Sequence, residues 1–250
     1  MARLESIYRY PVKGLSPERL SKVRLELGQT LLADRKYAIE NGPSGFDAAA
    51  PSYLPKNRFL MLMRNERLAT LDTRYDDATH TLTIRHGGRD AVRADLSTRA
   101  GRLAIEAFFR RFMPHELHGP PKVLRGDGHS FSDVAAKVVS IINLASVAAI
   151  ETMVGAPVHP LRFRANLYVE GWRAWSELDM AGRELAIGGA RLKVTKRIMR
   201  CAATNVDPDT GIRDLAIPAT LMQNLDHADC GIYARVIEAG EIKPGDAISP

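Results

Sequence analysis

Chemistry in this chain concentrates around residue 201. Arg191, Lys193, Lys196, Arg197 and Arg200 place five cations in the ten residues before Cys201. Positive neighbours favour thiolate over thiol, and a thiolate is both a nucleophile and a soft metal ligand. The run Val206-Asp207-Pro208-Asp209-Thr210-Gly211 follows directly and reads as a proline-directed turn closed by glycine. Its spacing lets Cys201 and Asp207 meet across the turn, the sulfur as ligand and the carboxylate as proton carrier. Spacing alone also allows a small buried cysteine followed by aspartates that merely shape the turn.

Other groups with chemical potential are scattered. Arg162-Phe163-Arg164-Ala165-Asn166 offers two guanidinium forks ahead of a strand, suited to bidentate phosphate contacts or to plain solvation. Pro11-Val12-Lys13-Gly14 leaves a lone lysine at a turn, and Asp34-Arg35 is either a local ion pair or a presentation of Arg35 to an anion. Asn143 stands at a helix start, where free backbone N–H groups can bind an anion. The second cysteine, in Asp226-His227-Ala228-Asp229-Cys230-Gly231, has metal-site composition without metal-site spacing and reads as a polar loop entering a strand.

Composition narrows the field. The 250 residues are 45% hydrophobic and 26% charged, enough to bury a core without staples. Two cysteines exclude a four-thiolate zinc site or iron–sulfur cluster within the chain. Lys plus Arg number 35 against 29 Asp plus Glu, a net charge of +6 that suits an anionic partner. Nucleic acid is disfavoured as that partner: aromatics are 6% and none interleaves with the cationic run, as stacking on bases requires. Arg3, Glu5 and Arg9 break the start against a secretory leader, and Val138–Ile150 is too short to span a bilayer. No membrane association and a cytoplasmic setting are therefore expected.

These residues need elements to position them. Short strand-like runs fill the front: Val23–Leu27, Lys36–Glu40, Arg58–Met63, Leu68–Leu71 and Thr81–Arg85. A helix follows from Ser97 or Thr98 to about Phe112, with Leu103, Ala107, Phe108 and Phe112 near one face. Further strands are expected at Lys137–Ile142, Asn166–Val169, Glu184–Ile187, Arg191–Thr195, Gly231–Ile237 and Ala247–Ile248, with a helix at Leu144–Val154 stopped by Gly155. The pattern predicts a β-rich α+β protein with few helices, divided into residues 1–95 and 96–250.

The segment from Phe131 to Pro250 resembles the molybdenum cofactor sulfurase C-terminal (MOSC) domain family. The resemblance is carried by Arg162-Phe163-Arg164-Ala165-Asn166, Arg200-Cys201 with Thr204, Asp207 to Gly211, and Gly240-Glu241-Ile242-Lys243-Pro244-Gly245-Asp246. The front, with Tyr10-Pro11-Val12-Lys13 and Leu32-Ala33-Asp34-Arg35, is similar to the smaller β-barrel domain that accompanies it. Two-domain members, including amidoxime-reducing components, imply a molybdopterin cofactor between the halves. Residue by residue, the resemblance implies Cys201 as the molybdenum ligand with Asp207 beside it. It implies Lys13, Arg35, Arg164 and Asn143 around the pterin and its phosphate, with Asn166, Arg200 and Thr204 completing the motif. The implied function is reduction of N-hydroxylated or N-oxide small molecules, with electrons from a separate reductase, since no dinucleotide-binding glycine motif is present. A carrier of sulfur, as a Cys201 persulfide, or of cofactor is the alternative. The chain departs from the pattern at Gly14, at Ala165, and across Gly45–Ala50 with Lys56-Asn57-Arg58-Phe59 after it.

Overall fold

The computed structural model describes residues 1–249, so Pro250 lies outside the described residues. Strands β1 (Arg3–Arg9), β2 (Glu18–Leu20), β3 (Val23–Leu25), β4 (Tyr37–Asn41), β5 (Leu71–Asp76), β6 (Thr81–His86) and β7 (Arg89–Asp95) precede helix α1 (Arg99–Phe112). After α1 come β8 (Pro121–Arg125), β9 (Val139–Asn143), α2 (Leu144–Val154), β10 (Leu167–Glu170), β11 (Glu184–Ile187) and β12 (Ala190–Met199). The chain finishes with α3 (Ile217–Leu225), β13 (Asp229–Glu238), β14 (Gly240–Ile242) and β15 (Ile248–Ser249). The protein is β-rich with few helices, as expected.

Eight strands form one sheet in the order β15-β11-β12-β13-β9-β10-β1-β2. The start of β1 also bonds to the segment before β15, through Leu4 N to Asp246 O at 2.9 Å and Ile248 N to Ala2 O at 2.9 Å. These bonds curl the sheet towards closure, and closure protects strand edges that would otherwise template aggregation. Inward residues Leu4, Ile7, Ile141, Val169, Leu192, Val194, Ile232 and Ala234 fill its interior, from strands that are far apart in sequence.

Residues from about 37 to 123 build a second core. β5, β6 and β7 form a meander, β4 pairs with β8, and α1 lies against β7 and β8. Thr98 caps α1 by accepting from Gly101 N at 3.0 Å. The buried face of α1 is Ile105, Phe108, Phe109 and Phe112, an i, i+3, i+4, i+7 stripe. Leu103, expected on that face, is exposed. Gly101 sits where α1 crosses Asp95: an added Cβ would meet Asp95 O at 1.9 Å.

Two expectations need correction. Arg58–Met63 is not a strand; after the 3-10 turn at Lys56–Arg58, Phe59 makes a single bridge to Glu40 of β4 and the chain then turns at Leu62–Arg64. Phe59, Leu60, Met61 and Leu62 are all buried in succession, and the Leu62 and Met63 carbonyls accept from Arg213 rather than from a neighbouring strand. Leu68–Thr70 likewise ends a 3-10 helix, and Leu71 opens β5. Packing runs across residue 95: β1 and β2 belong to the large sheet, β3 pairs with β14, and α1 packs with the meander.

Candidate functional site

A cleft of about 700 Å³ is lined from both halves of the chain, within the ~300–1,000 Å³ range of small-molecule and cofactor pockets. Among its lining residues are Lys13, Arg35, Arg164, Asn166, Arg200, Cys201 and Thr204. Residues as distant in sequence as Lys13 and Cys201 therefore face one space.

Cys201 leaves the end of β12 and opens the 3-10 turn Ala202–Asn205. Thr204 fixes its backbone: both its N–H and its hydroxyl donate to Cys201 O at 3.0 Å. The Cys201 thiol is partly exposed, whereas Cys230 is fully buried and burial pushes its thiol up to about 12. Only Cys201 is placed to act as a ligand or nucleophile.

The cationic run is divided by strand geometry. At a rise of about 3.3 Å per residue, the run's far end lies roughly 30 Å from Cys201. There Arg191 pairs with Glu184 and Glu238, and Lys193 faces outward. β-Bulges between Val194 and Lys196 and between Arg197 and Met199 break the alternation, re-aiming the later residues as bulges beside sites do. Lys196, Arg197 and Arg200 line the cleft, so three of the five cations reach it.

Three guanidinium groups are held by backbone carbonyls. Arg35 Nη2 donates to Arg164 O at 3.0 Å, and Arg164 Nη2 donates to Leu15 O at 2.7 Å. Both guanidinium groups lie over the Tyr10 ring, at 4.7 and 4.3 Å. Arg35 and Arg164 also adopt left-handed backbone, φ 52° and 50°, a conformation uncommon for non-glycine residues and concentrated at functional sites. Burial works to lower the Arg35 guanidinium, and the Asp34 carboxylate beside it more than offsets this. Burial, with Arg35 close by, lowers Arg164.

Arg200 donates to Cys230 O at 2.7 Å and Phe163 O at 2.9 Å, and its buried Nη2 has no partner among the described residues. Gly231 makes room for it: a Cβ there would stand 2.5 Å from Ile141 O and 2.9 Å from Arg200 Nη2.

Lysines supply the remaining cations. Lys13 is buried, donates to Phe131 O at 2.9 Å and pairs with Asp133, while Lys56 stands 3.8 Å from the same carboxylate. Burial tends to raise Asp133, but Lys13, Lys56 and Arg35 outweigh it and hold the carboxyl at about 2. Burial lowers the Lys13 ammonium, with Asp133 opposing.

Three expected site residues serve the scaffold. Asn143 is fully buried; its Oδ1 caps Ala145 N and its Nδ2 donates to Arg173 O and Glu177. No ligand-facing group remains, and Asn143 is not among the residues lining the cleft. Asn166 lines the cleft, yet its amide is taken up by Ser140 and Tyr8 O, tying β9 to β1. Asp207 is not among the lining residues either. Its Oδ1 accepts from Asp209 N, Thr210 N and the Thr210 hydroxyl, and its Oδ2 from Arg162. Burial raises Asp207 and these donors outweigh it, holding the carboxyl below its usual range. In this structure its oxygens shape the turn and pair with Arg162.

Sequence reading missed Lys56 and Asp133. Lys56 stood out only as part of an unusual segment, and Asp133 carried no local signal, because its partners lie 120 and 77 residues away in the chain. Arg162, which spacing allows as a phosphate fork or a solvated arginine, is neither: it is buried and bound to Asp207, Asp214 and Asn205 O.

Comparisons with known proteins agree with the motifs. Over 122 residues, 44% of this chain, it is 32% identical to mitochondrial amidoxime reducing component 2 of Bos taurus. Over 158 residues, 58% of the chain, it is 27% identical to mitochondrial amidoxime-reducing component 1 of Homo sapiens. The matched segments span 36% and 44% of those relatives' lengths. Among solved structures, the YUAD protein from Bacillus subtilis aligns over 99% of this chain and 93% of its own, at 13% identity and TM-score 0.46. YiiM from Geobacillus stearothermophilus aligns over 44% of this chain and 52% of its own, at 22% identity and TM-score 0.35. The MOSC N-terminal beta barrel domain model matches residues 1–111 and the MOSC domain model residues 114–249, and the chain belongs to the MOSC domain family.

Proposed function

We propose that the chain is a molybdenum-cofactor oxidoreductase that reduces N-hydroxylated or N-oxide compounds with electrons from a separate reductase. The observation that carries this reading is one cleft holding a partly exposed thiol at Cys201 together with Lys13, Arg35, Arg164 and Arg200. The residues fit such a cofactor. Among the described residues no group of three or more His, Cys, Asp or Glu stands together. A single thiolate suits a metal that arrives already bound by dithiolene sulfur. Unpartnered Arg200 Nη2 and the forks of Arg35 and Arg164 suit an anionic phosphate or a pterin carbonyl.

The bound molybdenum would supply a two-electron centre able to take an oxygen atom from nitrogen. Every other task falls to the chain. Cys201 holds the metal through sulfur, and Thr204 holds Cys201. Arg35 and Arg164, stacked on Tyr10, orient the phosphorylated end of the cofactor without reorganising.

The test is expression in a host that makes molybdopterin, with elemental analysis of wild type and Cys201→Ala. Stoichiometric molybdenum in wild type and its loss in the variant are expected; retention in the variant contradicts the assignment. A labile sulfur on Cys201 by mass spectrometry, with no molybdenum, favours the carrier reading.

A further inference from the structure

Two carboxylates among the cleft residues, Asp34 and Asp133, pair with its cations, and they are built differently. Asp34 is fixed: its side chain is 2% exposed, Oδ1 accepts from Tyr10 N at 2.8 Å, and its partner Arg35 is its chain neighbour. Asp133 has a side chain 47% exposed and takes its partners, Lys13 and Lys56, from two remote segments. Its loop is anchored at both ends, by Phe131 before it and by buried Val138 and β9 after it, and is exposed between them. Phe131 N bonds Arg35 O at 2.8 Å, and the Phe131 ring packs against Phe46, Phe59 and His129. From Ser132 to Ala136 the backbone is irregular and partly or fully exposed; among the described contacts, Tyr53 donating to Asp133 O at 3.2 Å holds this stretch.

We propose that Asp133 is a displaceable internal counter-ion: it occupies the oxyanion position between Lys13 and Lys56, and an anionic ligand enters by driving the Ser132–Ala136 segment out. The inference rests on the reading that this cleft takes a phosphorylated ligand, and it assigns that ligand a competitor within the chain. The physical reason is charge balance. Two ammonium groups near each other in a sheltered cleft repel unless an anion lies between them. A carboxylate on an exposed segment supplies that anion when the ligand is absent and gives way to a multiply charged phosphate, which accepts from both lysines at once. The empty cleft thus keeps its lysines ordered, at the cost of some affinity.

The test uses inorganic pyrophosphate and the 250-residue chain purified from a host without molybdopterin, so its outcome is independent of molybdenum loading. Calorimetry compares wild type, Asp133→Asn and Asp229→Asn, the last a cleft carboxylate with no lysine partner. Asp133→Asn is expected to bind at least fivefold tighter, and Asp229→Asn to change less than twofold. In wild type, pyrophosphate is expected to speed amide hydrogen exchange across residues 132–136. Unchanged or weaker binding by Asp133→Asn, an equal gain in Asp229→Asn, exchange that does not quicken, or no binding by wild type and Asp133→Asn overturns the proposal. Circular dichroism melts of both variants check that the fold is intact.

Discussion

The two sides of the cleft hold positive charge by different means. On one side Arg35, Arg164 and Arg200 are bound to backbone carbonyls at 2.7–3.0 Å, and their positions are part of the fold. On the other, Lys13, buried and bonded also to Phe131 O at 2.9 Å, and the more exposed Lys56 meet through one half-exposed carboxylate, Asp133. Guanidinium has five donors in a rigid fork, so it can satisfy the scaffold and still face a ligand. Ammonium is a point charge on a flexible stem and takes whichever anion is nearest. The arginine side is preorganised, and the lysine side adapts.

Mutations among the bound arginines therefore cost stability, and mutation of the half-exposed Lys56 does not. Arg162 braces the arginine side from beneath, and its side chain is 2% exposed. Arg162→Ala leaves Asp207 and Asp214 without their cation and is expected to lower stability by about 3 kcal/mol, read from urea unfolding; a loss under 1 kcal/mol breaks the comparison. Gly231→Ala comes next, at about 2 kcal/mol, since φ is +79° and the new Cβ meets Ile141 O.

A smaller effect is tied to pH. The buried Cys230 thiol titrates at about 12, above its ordinary ~8.5. A raised acid contributes stability that is complete below roughly pH 8.5 and is lost as pH rises towards the folded value. Cys230→Ala is therefore expected to flatten the alkaline decline between pH 9 and 12, followed by unfolding midpoints. The smallest effect is on the lysine side: Lys56→Gln removes a partly exposed, long pair and is expected to change stability by less than ~0.5 kcal/mol. A larger loss means that the lysine side is also part of the scaffold.

Much of the local structure was legible beforehand. Thr98 and Asn143 were readable as caps and Gly155 as a helix stop, because capping depends on neighbours a few residues away. β11 was readable from its alternation. Phe59–Leu62 was misread because a run buried on all sides has no period that separates a strand from a packed turn. Asp207 was misread for a related reason. A carboxylate six residues after a cysteine is chemically suggestive, yet its oxygens are satisfied by its own turn and by Arg162, 45 residues earlier.

By itself the sequence determined the family motifs in their order, the caps and most strands, since these depend on residue type and near neighbours. Tertiary structure decided which charges share a space. Bulges in β12 bring Lys196 and Arg197 to the cleft and leave Arg191 at the strand's far end. The pairing of Asp133 with Lys13 and Lys56 exists only because three distant loops converge there, and long-range convergence leaves no period or spacing in a sequence.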